Sequence, residues 1–260
     1  MSTAVVEGVS LAYDVEGSGE PLLMIQGLGY GRTGWGPVPA LLSQRYTVVT
    51  FDNRGFGGSD VTPGPYTTSQ LARDALGLLD EAKIDCAHVL GISLGGMIAQ
   101  ELVLAAPERV RKLVLCSTTA GGPQAVPMPE KTVAMMGRQA DLDPQEAMRL
   151  FVENALSPDP PPALADEIVA YRTANPPEGA GWYAQAGAGV QHDAMGRLGE
   201  IRAQTLVIHG TADNVVDAGN APLIANAIPG ARLELFEGVG HLLPWERPEE
   251  LVALVEGFLE

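Results

Sequence analysis

The stretch at positions 89–100 reads VLGISLGGMIAQ and places a single serine, Ser93, between glycines at the end of an apolar run. Gly91, Ser93 and Gly95 form the pattern G-x-S-x-G, in which a buried strand turns sharply into a helix at the serine. Glycine is needed two residues before and after the serine because side chains there would collide at the turn. The pattern predicts an exposed nucleophilic hydroxyl at a helix N-terminus, where unpaired N–H groups favour a developing negative charge.

A serine hydroxyl attacks a carbonyl group when a base removes its proton, and the chain has four histidines that could be this base. His88 begins the predicted strand that ends at Ser93, so it lies at the opposite edge of the sheet. His209 lies in an apolar strand, where we expect a hydrogen-bonded structural histidine, and His192 has no fixed relation to the elbow. His241 follows the last predicted strand in a glycine-containing loop, at the edge where active sites of parallel sheets collect. We predict that His241 is the base.

The base needs a carboxylate that fixes its tautomer and stabilises the imidazolium as it forms. In the chain order Ser, Asp, His that accompanies this elbow, the acid lies between the other two residues. Asp213 and Asp217 both follow the predicted strand 204–210. Asp213 lies in the loop directly after the strand, whereas Asp217 is placed to cap the next helix. We therefore predict Asp213 as the acid and Asp217 as a structural residue.

Acyl transfer also needs two N–H donors directed at the tetrahedral oxyanion. We expect one from Leu94, the residue after the serine, and the other from Leu28 in the loop QGLGYG. Gly27 lets the backbone of this loop approach the substrate, and we predict that Gly27 and Met97 bind it. The histidines lack the spacing of metal ligands, the cysteines form no C-x-x-C pair and the glycine-rich loops form no dinucleotide-binding pattern. We therefore predict no metal and no cofactor.

These residues require a sheet whose strand ends bring them together. Several short apolar runs predict strands covered on both faces, because most are continuously apolar and do not alternate. They alternate with segments of helical spacing, which predicts a parallel sheet wrapped by helices. The predicted strands are 21–27, 46–52, 87–93, 110–117, 204–210 and 231–237, the helices are 69–82, 95–108, 217–228 and 248–260, and residues 5–17 form an antiparallel hairpin at the sheet edge.

Residues 121–200 interrupt this alternation with clusters of proline and glycine, which predict several short helices. Five of the eight methionines lie in this region, namely Met128, Met135, Met136, Met148 and Met195. Methionine adapts to irregular shapes, which favours a cap over an apolar pocket, although an ordinary helical insertion packed on the core would look the same. We predict a core domain of residues 1–120 and 201–260 and a helical cap of residues 121–200.

Composition limits the classes of partner. The chain has 260 residues, which is compatible with one domain carrying an insertion, and its net charge of −16 disfavours nucleic acid and anionic lipid as partners. The alternative interpretation is that the charge serves only solubility. We expect no membrane-spanning segment and no secretory signal, and we expect Cys86 and Cys116 to be free thiols at opposite edges of the sheet. We expect a cytoplasmic monomer or small homo-oligomer that acts on a small molecule.

These residues, in this order, resemble the α/β-hydrolase superfamily, and the likeness spans the whole chain. The segment FDNRGFGGSD together with HVLGISLGGMIAQELVLAAPERVRKLVLCST is similar to the 3-oxoadipate enol-lactonase branch and its esterase relatives. The resemblance implies an eight-stranded, mostly parallel sheet with a helical cap inserted after the sixth strand. It assigns the catalytic triad to Ser93, Asp213 and His241. Many relatives have histidine where this chain has Gln26, so the bracing of the oxyanion loop must differ.

The predicted function is therefore that of a serine hydrolase cleaving carboxylic esters or lactones through an acyl-enzyme, and within this class the resemblance makes 3-oxoadipate enol-lactonase the sharpest candidate. The same triad would serve hydrolysis of carbon–carbon bonds in vinylogous diketones, or cofactor-free peroxidation of carboxylic acids. A third possibility is a slow-turnover small-molecule receptor of the same fold. Haloalkane dehalogenases and epoxide hydrolases are disfavoured because those relatives have aspartate at the elbow.

The enol-lactonase substrate carries carboxylates, so cationic side chains of the predicted cap are of interest. Four arginines lie there and could pair with an anion, although arginines at such positions are more often solvated on the surface. They are Arg138, Arg149, Arg172 and Arg197.

Overall fold

The computed structural model describes residues 1–138 and 142–260, and an eight-stranded sheet lies at its centre. In chain order the strands are β1 (Ser2–Val6), β2 (Val9–Gly17), β3 (Glu20–Ile25), β4 (Tyr46–Phe51), β5 (Ala87–Ile92), β6 (Val110–Cys116), β7 (Gln204–Gly210) and β8 (Arg232–Phe236). Their order across the sheet is β1-β2-β4-β3-β5-β6-β7-β8. β2 pairs antiparallel with β1 and β4, and all other neighbours are parallel. The predicted fold class and the edge hairpin are confirmed.

The central strands are apolar throughout because helices cover both faces of the sheet. Every residue of β5 is buried, whereas β8, at the edge of the sheet, has no fully buried residue. One apolar cluster joins the sheet to α2, α3 and α8, and a second joins its other face to α1 and α10. The two clusters hold the carboxyl ends of β3, β5, β6 and β7 side by side, which is where the candidate site lies.

The described residues form ten α-helices. They are α1 (Val38–Leu42), α2 (Thr68–Glu81), α3 (Leu94–Ala105), α4 (Glu130–Arg138), α5 (Pro144–Ala155), α6 (Leu164–Ala174), α7 (Gly179–Val190), α8 (Asn220–Ala227), α9 (Leu243–Glu246) and α10 (Pro248–Leu259). The four helices predicted for the core correspond to α2, α3, α8 and α10. The sequence does not predict α1 and α9, because helices of 5 and 4 residues are too short to display a helical period.

Four of these helices, α4 to α7, lie between β6 and β7, and we call residues 117–203 the insertion. A third apolar cluster joins α5 and α6 to Tyr30 and Leu242, which lie in the loops after β3 and β8. The division into a core of residues 1–120 and 201–260 and a cap of residues 121–200 stays a prediction about domains.

His192 anchors the end of the insertion to the core. Its ring Nδ1 lies 3.0 Å from the hydroxyl of Thr68 in α2 and 3.7 Å from a carboxylate oxygen of Glu101 in α3. Burial lowers the pKa of His192 to about 4, so the ring is neutral near pH 7. Its role is structural, which agrees with the absence of a predicted relation to the elbow.

The remaining composition-based expectations concern the cysteines and the membrane. Cys86 precedes β5 and Cys116 ends β6, and both are free thiols. Cys116 is buried in the core, whereas Cys86 is only half-buried. Within the described part of the chain, no helix combines the length and apolar character needed to cross a membrane.

Candidate active site

Ser93 occupies a strained turn between β5 and α3. Its φ of 55° and ψ of −122° are uncommon for a residue with a side chain. A Cβ on Gly91 would lie 2.3 Å from the carbonyl oxygen of Gly95, and a Cβ on Gly95 would lie 1.9 Å from that of Ile25. The backbone N–H of Ser93 donates to the carbonyl of Cys116 at 3.0 Å, which ties the turn to β6. The turn therefore has the glycine-dependent geometry that G-x-S-x-G predicts.

His241 and Asp213 form a short hydrogen bond across the carboxyl ends of two strands. Asp213 follows β7 and His241 follows β8, and His241 Nδ1 lies 2.7 Å from Asp213 Oδ2. Because the partner is an acceptor, Nδ1 carries a proton, which leaves Nε2 as the basic nitrogen. His241 lines a cavity that Ser93 also lines, whereas Asp213 is only 5 % exposed. The structure thus brings the predicted acid and base into contact and places the base at the same cavity as the serine.

The Asp213 carboxylate is held ionised by its donors. Its Oδ1 accepts hydrogen bonds from the backbone N–H groups of Val215 at 2.8 Å and Val216 at 2.9 Å. Burial alone would raise the pKa of Asp213, but the charge of His241 and hydrogen bonds from His209 and His241 outweigh it and hold that pKa well below its usual range. A carboxylate that stays ionised is what a neighbouring imidazolium requires.

The sequence also makes predictions about two neighbours of Asp213, and the structure contradicts one of them. Asp217 does not cap the next helix: α8 begins at Asn220 with Gly219 as its N-cap, and Asp217 Oδ1 accepts from the Gly219 N–H at 2.8 Å. That prediction is wrong because a turn separates the aspartate from the helix. His209 is a buried, hydrogen-bonded strand histidine as predicted, but its Nε2 lies 3.0 Å from Val216 O and also 3.1 Å from Asp213 Oδ2.

The cavity has a volume of about 560 Å³ and opens between the carboxyl edge of the sheet and the insertion. The residues predicted to bind substrate, Gly27 and Met97, line it, as do Leu28 and Leu94, the predicted oxyanion donors. Most of the lining contributed by the insertion is apolar, and it includes Met128, Met136, Met148, Phe151 and Trp182. The cavity therefore suits a small molecule with a substantial apolar part.

Gln26 braces the loop that carries Leu28. Its side-chain Nε2 donates to the carbonyl of Gly34 at 2.7 Å, and its Oε1 accepts from the Gly27 N–H at 2.7 Å. A Cβ on Gly27 would lie 2.9 Å from the Cβ of Ser93, so only glycine lets this loop approach the serine so closely. Gln26 thus braces this loop through its side-chain amide, at the position where the resembling family often has histidine.

A buried carboxylate ties the His241 loop to the insertion. Glu246 is 4 % exposed; its Oε1 accepts from the Gly240 N–H at 3.0 Å, and its Oε2 accepts from the Ser157 N–H at 3.0 Å. The His241 N–H also donates to the carbonyl of Ala155, at 2.7 Å. Sequence reasoning missed Glu246, since nothing in HLLPWERPEE separates it from the exposed glutamates that follow.

Of the four predicted arginines, three lie away from the cavity and one lines it. Arg197 pairs with Glu101, Arg149 pairs with Asp166, and Arg138 is exposed at the end of α4. Arg172 is only 9 % exposed and lines the cavity.

The guanidinium of Arg172 lacks an anionic partner among the residues that the structure describes. It lies over the rings of Tyr30 and Phe151, at 4.7 and 5.8 Å from their centroids. Nη1 donates to the carbonyl of Gly29 at 3.4 Å, and Nε is buried without a hydrogen-bond partner. Nothing in its spacing in the sequence distinguishes Arg172 from the other three arginines.

No group of three or more His, Cys, Asp or Glu side chains within residues 1–138 and 142–260 is arranged to hold a metal ion.

Comparison with known proteins gives the family. The alpha/beta hydrolase fold family matches residues 20–248, and the chain belongs to this family. A 2-hydroxy-6-oxononadienedioate/2-hydroxy-6-oxononatrienedioate hydrolase of Paraburkholderia xenovorans (strain LB400) is 34% identical, over 96% of this chain and 91% of the relative. The protein is thus an α/β hydrolase.

Two solved structures share the fold over their whole length. The enol-lactonase of Burkholderia xenovorans LB400 is 27% identical with a TM-score of 0.85, covering 99% of both chains. Est816, described as an N-acyl homoserine lactone degrading enzyme, is 30% identical with a TM-score of 0.85, covering 99% of this chain and 100% of that one. The activities named for these relatives differ, so the likeness indicates a hydrolase without choosing its substrate.

The Glu246 contacts generate a stability prediction. Glu246→Ala leaves the buried N–H groups of Gly240 and Ser157 without their acceptor, and each loss costs about 1–3 kcal/mol. We expect urea titration to show a free energy of unfolding reduced by about 2–6 kcal/mol. The matched control is Glu249→Ala, which removes an exposed carboxylate from the first turn of α10 and should cost less than about 1 kcal/mol. Equal losses in both variants would contradict the assignment.

Proposed function

We propose that the protein is a serine hydrolase that cleaves carboxylic esters or lactones, with Ser93 as nucleophile, His241 as general base and Asp213 as the acid that orients it. The observation that carries the proposal is the 2.7 Å hydrogen bond between His241 and Asp213 at a cavity that Ser93 lines. A strained, glycine-flanked serine, a histidine with a fixed tautomer and a buried ionised carboxylate together meet the requirements of acyl transfer.

The proposed reaction runs in two halves. Ser93 Oγ attacks the carbonyl carbon while His241 Nε2 accepts the hydroxyl proton, and the backbone N–H groups of Leu28 and Leu94 stabilise the oxyanion. The tetrahedral intermediate then expels the alcohol or enolate, which takes the proton from His241, and the acyl group stays on Ser93. Water attacks the acyl-enzyme while His241 accepts a proton from it, and the acid product leaves as Ser93 Oγ takes that proton back from His241. Asp213 stabilises the imidazolium in both halves.

A second candidate is hydrolysis of a carbon–carbon bond in a diketone that bears a carboxylate, and Arg172 is the observation that favours it. A buried guanidinium without an anionic partner is costly, and its planar fork matches a carboxylate in bidentate geometry. Arg172 lines the cavity beside the oxyanion loop, where such a group of the substrate would reach it. The relative named a 2-hydroxy-6-oxononadienedioate hydrolase acts, by that name, on a dicarboxylate.

The nucleophile is tested by covalent labelling. We expect a fluorophosphonate to add one adduct to the wild-type protein and none to Ser93→Ala, with p-nitrophenyl ester turnover reduced at least about 10³-fold in the variant. Intact mass and initial rates measure both, and thermal unfolding checks that the variant folds. Ser157→Ala is the matched control, since Ser157 is a buried serine near the His241 loop that does not line the cavity.

Labelling of Ser93→Ala, or ester hydrolysis by it at the wild-type rate, would overturn the proposal. A single labelling event without repeated turnover of any ester, lactone or diketone would instead support the slow-turnover receptor.

Substrate charge is tested at Arg172. We expect Arg172→Gln to lower kcat/KM about 10–100-fold for an ester whose acyl chain ends in a carboxylate, because a charge-assisted hydrogen bond is worth about 1.5–3 kcal/mol. For the matched neutral methyl ester we expect a change below about 3-fold. Arg149→Gln, which removes an exposed arginine paired with Asp166, should alter neither rate. An equal loss on both substrates would show that Arg172 supports the fold and does not select charge.

A further inference from the structure

The carboxylate of Asp213 contacts two histidines through the same oxygen. Asp213 Oδ2 lies 2.7 Å from His241 Nδ1 and 3.1 Å from His209 Nε2. The same His209 nitrogen donates to the carbonyl of Val216 at 3.0 Å. His209 lies in β7, four residues before Asp213, and both side chains are fully buried. The proposed reaction assigns no role to this histidine.

The surroundings of His209 fix its tautomer. Both neighbours of Nε2 are oxygen acceptors, so Nε2 carries a proton. Nδ1 is buried and has no hydrogen-bond partner among the described residues. His209 therefore serves this site as an N–H donor through Nε2.

We propose that His209 is a positioning residue that sets the strength of His241 as a base by sharing Asp213 Oδ2 with it. This inference rests on the proposed function, in which His241 is the base. A carboxylate oxygen that accepts a second N–H offers less negative charge to the first donor. The His241 imidazolium is then stabilised less by Asp213 than it would be without His209. Through Val216, the same N–H also holds the turn that follows Asp213.

Other titratable groups near Asp213 and His241, among the described residues, do not act as the second donor to Asp213 in place of His209. Burial, followed by the negative charge of Asp213, raises the pKa of the Cys116 thiol to about 12, so that side chain remains neutral. The Glu246 carboxylate binds the Gly240 N–H beside His241 and not its ring. Arg172 lies on the cavity side. Within the described ranges, the side-chain N–H groups that reach the Asp213 carboxylate come from His209 and His241.

The chain offers a matched control for this histidine. His88 is also a buried strand histidine, 2 % exposed, and its Nε2 lies 3.0 Å from Glu20 Oε2. It is the second residue of β5, so it lies at the edge of the sheet remote from Ser93. Leucine removes the N–H donor at either position, whereas glutamine restores one. The four variants are therefore His209→Leu, His209→Gln, His88→Leu and His88→Gln.

The first measurement is the pH profile of kcat/KM for a p-nitrophenyl ester. In His209→Leu we expect the acid limb to move to higher pH by about half a unit or more, because Asp213 then gives its full charge to His241. In the same variant we expect kcat on the plateau of the pH profile to fall. We expect KM to change little, since His209 does not line the cavity. In His209→Gln we expect the acid limb within about 0.2 pH units of its wild-type position. In both His88 variants we expect the acid limb at its wild-type position. An unmoved limb in His209→Leu, or an equal shift in His88→Leu, overturns the inference.

The second measurement needs no substrate and therefore separates this inference from the proposed function. NMR of histidine-labelled protein follows the Cε1–H shift of His241 against pH, and the chain has only four histidines to assign. We expect the pH midpoint of the His241 shift to be higher in His209→Leu than in the wild type, and to lie at the wild-type value in His209→Gln. If the wild-type protein cleaved no ester, lactone or diketone, the proposed function would be wrong. The titration midpoint of His241 in the His209 variants would still test whether His209 acts on His241.

If thermal unfolding shows that His209→Leu does not fold, a second pair of variants tests the same geometry. The longer amide of His209→Gln reaches the Asp213 carboxylate, whereas the shorter amide of His209→Asn does not. We expect the His241 midpoint to rise in the asparagine variant and to stay at its wild-type value in the glutamine variant. Identical midpoints in the two variants would contradict the shared-oxygen geometry.

Discussion

The hydrogen bond between His241 and Asp213 is the interaction on which the arrangement of the site depends. It joins residues 28 positions apart that follow two neighbouring strands, and it determines which ring nitrogen of His241 is basic. The bond requires an ionised carboxylate in a buried place, where burial opposes ionisation. Two backbone N–H groups and a second histidine meet that requirement, so much of the loop after β7 serves one carboxylate.

The insertion is part of the same support. Glu246 and the carbonyl of Ala155 fix the His241 loop from the side of α5, and residues of α5 and α7 line the cavity over Ser93. The wall of the cavity and the backbone of the histidine are therefore held by shared hydrogen bonds. A displacement of the end of α5 would disturb both the space for the substrate and the position of His241.

The sequence predicts those features that leave a periodic or positional signal. Continuous apolar runs indicate buried parallel strands, and glycines around Ser93 indicate the strained turn, because in each case the backbone itself limits the residue types. Features that arise from contacts between distant segments leave no such signal. The reach of His209 to Asp213, the exposure of Arg172 to the cavity and the bridge made by Glu246 depend on how loops pack. The same is true over a short distance after β7. Asp217 is a residue type that often caps helices, but the turn that follows it places Gly219 at the N-cap of α8.

The claim that Ser93 is presented to two backbone donors and to His241 is tested most directly by a crystal structure of the protein after reaction with a fluorophosphonate. We predict phosphorus bonded to Ser93 Oγ, its oxygen within hydrogen-bonding distance of the amide nitrogens of Leu28 and Leu94, and His241 Nε2 facing the leaving-group side. A phosphoryl oxygen directed away from both amides, or an adduct on another residue, would contradict that claim.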